Sequence, residues 1–210
     1  MRQVSSSFPV DLTSVLTGAS VYQLGYWRRK NHLLVPEISS RPALYSFRDL
    51  LALRTVVRLR RTHSLQAIRT AFNSLREFDL TEHPSQYQLR AHGKSIVLVQ
   101  QGQAMDLVKS PGSLLLATMD DIFAQFETRS GRRVVDFLAP RPHLEIREKR
   151  MGGWPTAENS RVPFDTIAAL MATGEVSASE VQHYYPSVTP EAAADAASFA
   201  DEVAAIRKAA

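Results

Sequence analysis

Apolar residues recur with a helical period at both ends of the chain and alternate with polar ones in the middle. Val10, Leu12, Val15 and Leu16 offer one apolar face to a short helix starting near Asp11, and Gly18 stops it. Ser20 is placed as the N-cap of VYQLGYWRRKN, where Val21, Leu24 and Trp27 share a spacing that leaves Gln23, Tyr26, Arg29 and Lys30 largely on other faces. Two short helices joined by a glycine-containing turn form a helix-turn-helix pattern, whose second helix enters the major groove of DNA. EISSRPALY then gives two short extended pieces around a Ser-Ser-Arg-Pro turn, a wing, with Pro36 and Pro42 holding the residues before them extended. Ser46 and Asp49 have capping-box spacing for a helix beginning at Phe47, with Leu50, Leu53, Val57 and the alkyl stem of Arg54 along one side. Its other faces carry Arg48, Arg54, Arg58, Arg60 and Arg61. Ser64 caps a further helix striped by Leu65, Ile68, Phe72 and Leu75.

From Gln88 to Lys109 the period drops to two, with His92-Gly93 and Gln101-Gly102 as turns, which predicts two or three short antiparallel strands. LLLATMDDIFAQFETRSG fits a strand at Leu114 to Leu116 and a helix around Met119 to Phe126; RRVVDFL reads as another strand. Asp120-Asp121 favours a helix N-terminus over a catalytic pair, since adjacent helical residues point apart. Beyond Pro140 and Pro142, a loop or hairpin leads into three helices. The first spans FDTIAALMATG up to Gly174, the second is capped by the box Ser177 to Glu180, and the third is a long Ala-rich helix opened by Thr189-Pro190-Glu191. Ala192, Ala196, Phe199, Val203 and Ile206 stripe the last one. The expected fold is mainly α with a small β part (α+β). It comprises a winged helix-turn-helix at 8–80, a small β-rich connecting region at 86–140 and a three-helix module at 141–210.

Charge separates the ends. Residues 1–78 hold 12 Lys+Arg against 4 Asp+Glu, residues 79–150 hold 10 against 9, and residues 151–210 hold 3 against 8. A basic first third is the footprint of a phosphate-binding surface, whereas an acidic last third is repelled by a nucleic-acid backbone, so the two ends should have different partners. The absence of cysteine excludes disulfides and thiolate zinc sites, and six scattered histidines show no ligand spacing, so no metal or other cofactor is expected. There is no Ser/His/Asp order, P-loop or dinucleotide fingerprint, and the chain is read as a non-enzyme. No apolar run approaches membrane-spanning length and MRQVSSSFPV lacks an apolar signal-peptide core, so a cytoplasmic protein without membrane partners is expected.

The ordered submotifs Leu16 to Gly18, Gln23 to Arg29, Leu33 to Pro36, Leu44 to Leu50 and Ser64 to Arg69 resemble the MerR-type winged helix-turn-helix. Gly25 stands where that family commonly has a phosphate-contacting Arg, while Arg28 and Lys30 add charge just beyond. Gly152 to Pro155, Arg161 to Pro163, Ala169 to Gly174, Glu180 to Pro186 and Thr189 to Glu191 resemble the small helical "domain of unknown function 433". The pairing of the two resembles antitoxins of the VapB kind. That resemblance implies a repressor that binds double-stranded operator DNA as a homodimer and neutralises a VapC-type PIN-domain ribonuclease toxin. The DNA-binding residues it points to are Ser20, Tyr22, Gln23, Tyr26, Trp27, Arg28, Arg29, Lys30, Arg41, Tyr45 and Arg48. The toxin-binding candidates are Arg147, Arg150, Phe199, Val203, Ile206, Arg207 and Lys208. The alternative is a MerR-like regulator answering a small ligand, which calls for an enclosed apolar pocket in the middle or C-terminal segment.

Overall fold

Helix α1 (Val10–Thr17) occupies the centre of the molecule in a computed structural model that describes residues 7–29, 33–77, 88–92, 95–100, 103–108, 114–115 and 123–209. An eight-residue helix with one apolar face should leave a polar face in water, yet every residue from Asp11 to Thr17 is buried. Its hydroxyl-bearing face can be covered because short hydroxyls bond locally: Thr17 Oγ1 donates to the Thr13 carbonyl at 2.7 Å. Gly18 ends the helix in the left-handed region (φ 80°), its N–H donating to the Ser14 carbonyl at 3.0 Å. A side chain at Gly18 would meet Val134 of a later hairpin, so the turn is closed by sequence and by packing.

Helix α2 (Val21–Arg29) follows, then a three-stranded antiparallel sheet of β1 (Phe8–Pro9), β2 (Ser39–Ser40) and β3 (Ala43–Tyr45) in the order β1-β3-β2. The β2–β3 hairpin is the expected wing, turning at Arg41-Pro42. Helix α3 (Phe47–Leu59) starts where its sequence places it: Ser46 Oγ accepts from the Asp49 N–H, and Asp49 accepts from the Ser46 N–H. Helix α4 (Leu65–Glu77) is opened by Ser64, whose Oγ accepts from the Ala67 N–H at 3.1 Å.

The alternating segment forms an antiparallel meander of β4 (Gln88–His92), β5 (Ser95–Gln100), β6 (Gln103–Asp106) and β7 (Leu114–Leu115). Strand β5 is inside the sheet, and Ile96, Val97, Leu98 and Val99 are all buried, so its continuous apolar run fits a strand covered on both faces. Helix α4 packs on β5, and Ser74 Oγ donates to the Leu107 carbonyl at 2.8 Å. Gly93 and Gln101-Gly102, Leu116 to Met119 and Asp120-Asp121 lie outside the described residues. RRVVDFL contributes only the short strand β9 (Arg133–Val134), paired in a hairpin with β8 (Phe126–Glu127).

The C-terminal part contains the expected hairpin, β10 (Leu144–Glu145) with β11 (Thr156–Ala157), and three helices, α5 (Phe164–Met171), α6 (Val181–Tyr184) and α7 (Pro190–Lys208). Helix α6 is shorter than its sequence promised. The Ser177 N–H and hydroxyl both reach the Glu180 carboxylate, at 2.9 and 2.6 Å, but this box closes a turn, and Pro186 ends the helix one turn after Val181. Helix α7 opens as read, with Thr189 Oγ1 accepting from the Ala192 N–H and Pro190 at the first helical position.

The first and last parts of the chain share one core. Phe8, Trp154, Phe164 and Phe199 form a relay of rings with successive centroids 5.5, 6.2 and 4.9 Å apart, running from β1 to α7. Arg207 on α7 reaches Asp11 on α1, at 2.7 Å from Nε and 2.5 Å from Nη2. The Asp11 carboxylate lies in the first turn of α1, where the helix dipole also favours negative charge. Gly153 adopts φ 85° with its Cα against Phe47, the first residue of α3, where a methyl group would overlap the ring.

Arg54 is the least expected part of this core. It is fully buried and, among the described residues, donates to the carbonyls of Leu16 at 2.6 Å from Nη1 and of Phe123, Ala124 and Val135 at 2.9, 2.9 and 2.8 Å from Nη2. Its guanidinium also lies over the Phe126 and Phe137 rings. One cation thus gathers a carbonyl of the last turn of α1 with the backbone leading into and out of the β8–β9 hairpin.

Candidate nucleic-acid interface

Helix α2 presents two different faces. Leu24 and Trp27 turn inward and are buried, while Tyr22 is 79% exposed and stacks on Tyr26 with ring centroids 6.3 Å apart. The helix contains no acidic residue in its first turn and ends in Arg28 and Arg29. Ser20 and Gln23 cap its start reciprocally: the Ser20 N–H donates to Gln23 Oε1 at 2.8 Å, and the Gln23 N–H donates to Ser20 Oγ at 3.1 Å. Gln23 therefore has its amide donors left for a ligand, with its acceptor engaged in the cap.

The wing is tied to this helix by charge. Arg28 Nη1 donates to the Ser40 carbonyl at 2.5 Å, fixing β2 beside the C-terminal end of α2. Arg29 folds back instead, its Nε donating to the Gly25 carbonyl at 3.0 Å. Gly25 permits this, since a side chain there would crowd the Arg29 guanidinium at 3.1 Å. At the wing tip Arg41 is exposed, and its N–H donates to Ser39 Oγ. Arg48, at the start of α3, keeps 40% of its side chain exposed 3.7 Å from Glu37, and that carboxylate also accepts from Ser46 Oγ at 2.6 Å.

Tyr22, Tyr26, Arg28, Arg29, Arg41 and Arg48 thus belong to α2, the wing and the adjoining start of α3, and each keeps exposed or partly exposed surface. Such an array can meet phosphates through guanidinium groups and base or sugar edges through the tyrosines. Trp27 and Tyr45 play a different part from the DNA contact assigned to them. Trp27 is 3% and Tyr45 1% exposed, so both serve the core beneath the surface. Burial pushes the Tyr45 hydroxyl up to about 12, the nearby Arg28 charge working against this and Asp49 with it, and the hydroxyl has no hydrogen-bond partner among the described residues. Lys30 lies outside the described residues.

The residues assigned to a protein partner divide, the apolar ones turning inward and most of the basic ones staying at the surface. Phe199 and Val203 belong to the buried core, Ile206 packs against it, and Arg207 is engaged with Asp11. Arg147 and Arg150 both pair with Glu145, Arg147 Nε at 2.6 Å, and Lys208 is exposed in the last turn of α7. The Ala-rich stripe of α7 closes on α1 and α5 within the chain itself.

Sequence reasoning missed Arg132, whose Nη2 donates to the Ser14 carbonyl of α1 at 2.6 Å and whose burial lowers its pKa from the usual arginine range. It read the RRVVDFL arm of the hairpin as a strand but fitted Phe126, in the other arm, to a helix. No local signal marks the role of Arg132, because it comes from a contact with a residue more than a hundred positions away. Among the described residues no group of His, Cys, Asp and Glu could hold a metal ion, and no helix is long and apolar enough to cross a membrane.

Two family models match the chain. Residues 10–75 match the MerR HTH family regulatory proteins, and residues 144–200 match a protein family of unknown function, DUF433. The N-terminal part is therefore a MerR-family helix-turn-helix domain and the C-terminal part a DUF433 domain. No curated protein and no solved structure matches the chain.

Proposed function

We propose that this chain is a DNA-binding repressor of its own operon, acting as a homodimer on two half-sites. The observation that carries the reading is the aromatic and basic outer face of α2 locked to the wing through Arg28 and Ser40. Tyr22, Tyr26 and the amide of Gln23 face the groove, while Arg29, Arg41 and Arg48 take phosphates. Lys30 extends the same cluster by sequence. The working units are the winged helix-turn-helix at 8–80, the β-rich connection at 86–140 and the C-terminal module at 141–210.

Fluorescence anisotropy on a duplex carrying the DNA upstream of its own reading frame tests this reading. Replacing Arg29 and Tyr22 together by Ala, two outward side chains, is expected to abolish preference for that duplex over a scrambled one. Unchanged preference would sink the assignment of α2 as the reading element.

Within this reading, the chain is the antitoxin of a type II toxin-antitoxin pair and neutralises a PIN-domain ribonuclease through its C-terminal module. Support comes from the pairing of a MerR-like helix-turn-helix with a DUF433 domain and from the opposite charge of the two ends. With Phe199 and Val203 buried in the core and the exposed Arg207 engaged by Asp11, the toxin contact falls to the outward Arg147 and Lys208. Co-expression with a PIN-type ribonuclease encoded beside it should restore growth, and Arg147→Glu with Lys208→Glu should lose that rescue while DNA binding is kept. Rescue by the double variant would move the contact elsewhere, and no rescue by the parent chain would end the antitoxin reading. The small-ligand alternative calls for an enclosed apolar pocket; the feature that would serve it is a mostly apolar concavity of about 710 Å³ lined by Phe47, Leu51, Phe123, Leu138 and Leu144 among others, and it is open to solvent.

A further inference from the structure

The geometry points to a third DNA-contacting element that neither family model covers: the β8–β9 hairpin, whose tip seats a backbone phosphate beside the first turn of α2. This rests on α2 being the helix that enters the groove. The hairpin tip is the sequence Thr128-Arg129-Ser130-Gly131, held open by its own hydrogen bonds. The Thr128 N–H donates to the Arg132 carbonyl at 2.8 Å, the Gly131 N–H donates to the Thr128 carbonyl at 3.0 Å, and Thr128 Oγ1 accepts from the Arg132 N–H at 3.0 Å. Gly131 supplies the positive φ of 79° that the turn requires, with open space around it. Arg129 and Ser130 are left exposed at the end of this turn.

The hairpin is anchored at its base. Val134 packs against Gly18, and Arg132 holds the Ser14 carbonyl, so the tip has a set position relative to α1 and therefore to α2. Between tip and helix lies a concavity of about 420 Å³, lined by Ser20, Arg60, Thr128, Arg129, Ser130 and Arg132 among others. Among the described residues that line it, three are arginines and none is Asp or Glu. The nearest carboxylate in sequence, Glu127, stands one residue before the tip and faces Arg133 across the hairpin. Arg60 donates to the His63 carbonyl, and Arg132 is committed to α1, so Arg129 is the cation of this group placed to meet a ligand first.

The placement matches a duplex. The wing is tied to α2 through Arg28, and the concavity beside the hairpin runs along Ser20, Gln23 and Trp27, roughly a third of a turn away round the helix axis. The major groove, about 12 Å wide, is filled by a helix about 10–12 Å in diameter, which leaves a phosphate rail along each flank. A helix inserted between two phosphate rails would then have the wing against one and the Arg129 tip against the other.

The test is a salt titration of binding to a fluorescein-labelled duplex of the DNA upstream of this reading frame, using the full chain. Each phosphate contact contributes about 0.9 to the slope of log K against log[salt], and therefore about eightfold in affinity at 0.1 M salt. Arg129→Ala is expected to lower the slope by about that amount and to weaken binding about eightfold, with Arg129→Lys retaining most of the slope. Arg161→Ala, which removes an exposed cation from the C-terminal part, should change neither. If the parent chain binds and Arg129→Ala superimposes on it, or if Arg161→Ala has the same effect, the hairpin contact is overturned while the reading of α2 stands. If the parent chain does not bind this duplex, the reading of α2 falls and the hairpin contact with it.

Discussion

Replacing Arg54 should unlatch the helix-turn-helix from the segment that carries the hairpin. The buried guanidinium satisfies four carbonyls among the described residues, and hydrogen bonds from a charged donor contribute about 1.5–3 kcal/mol each, set against a desolvation penalty of several kcal/mol for the cation. The net worth of the ion is therefore modest, but removing it leaves carbonyls buried without their partner and a cavity beside Phe126 and Phe137. Arg54→Met keeps much of the volume and no donor, so a loss of about 3 kcal/mol is expected, and Arg54→Ala adds a cavity for a loss of about 4 kcal/mol or more. Arg54→Lys keeps the charge but not the fork that reaches Leu16 on one side and Phe123, Ala124 and Val135 on the other, and should lose about 2 kcal/mol. Urea melts followed by far-UV circular dichroism measure these losses. Hydrogen exchange read at 123–137 locates them, since local opening there should precede global unfolding in the Lys variant. An Arg54→Met protein within about 1 kcal/mol of the parent would refute the claim that this side chain joins the two parts.

Two further substitutions probe the core by other routes. Tyr45→Phe removes a buried hydroxyl that has no partner among the described residues, so stability at neutral pH should be unchanged or slightly higher. Because burial raises the Tyr45 pKa to about 12, the unfolded chain releases this proton first, and the parent should lose stability as pH rises from the unfolded value near 10 towards 12. Melts across that window should show the loss in the parent and less of it in Tyr45→Phe; parallel curves would contradict the assignment. Gly153→Ala combines a strained φ of 85° with overlap on Phe47, and should cost about 2–4 kcal/mol. A Phe47→Ala background should reduce that cost, a coupling that thermal melts of the four proteins can measure.

Much of the local architecture was legible because it depends on neighbours in sequence. Gly18, Ser46 with Asp49, Ser64 and Thr189 each begin or end a helix where their chemistry places it, and the change to a period of two marks the meander. What was hidden depends on distant residues. The spacing put the alkyl stem of Arg54 along the apolar side of α3, but arginine is seldom fully buried, and nothing in the pattern placed its guanidinium in the core. The Phe199 and Val203 stripe was equally compatible with a partner and with the chain's own core, and the contact with α1 and α5 decides for the core. Aromatic residues near a groove can read it or support it from below. Tyr22 is outside and Trp27 inside because five positions on a helix separate them by well over a quarter turn, a distinction the amphipathic pattern of Leu24 and Trp27 already contained.

The C-terminal domain packs on the face of α1 that a free-standing helix-turn-helix would leave to solvent. Truncations that remove α7 would therefore disturb the DNA-binding part as well, since Arg207, Val203 and Phe199 lie against α1, β1 or the rings between them. Point substitutions are the cleaner way to separate the two ends.

The central claim is that α2 and the wing read DNA, and equilibrium binding of the full chain to two duplexes of equal length tests it most directly. One carries the sequence upstream of its own reading frame and the other a scrambled version, each titrated with salt. The account predicts binding about a thousandfold or more tighter to the upstream sequence, with log K falling linearly as log[salt] rises on both. Equal affinity for the two, or binding indifferent to salt, would contradict it.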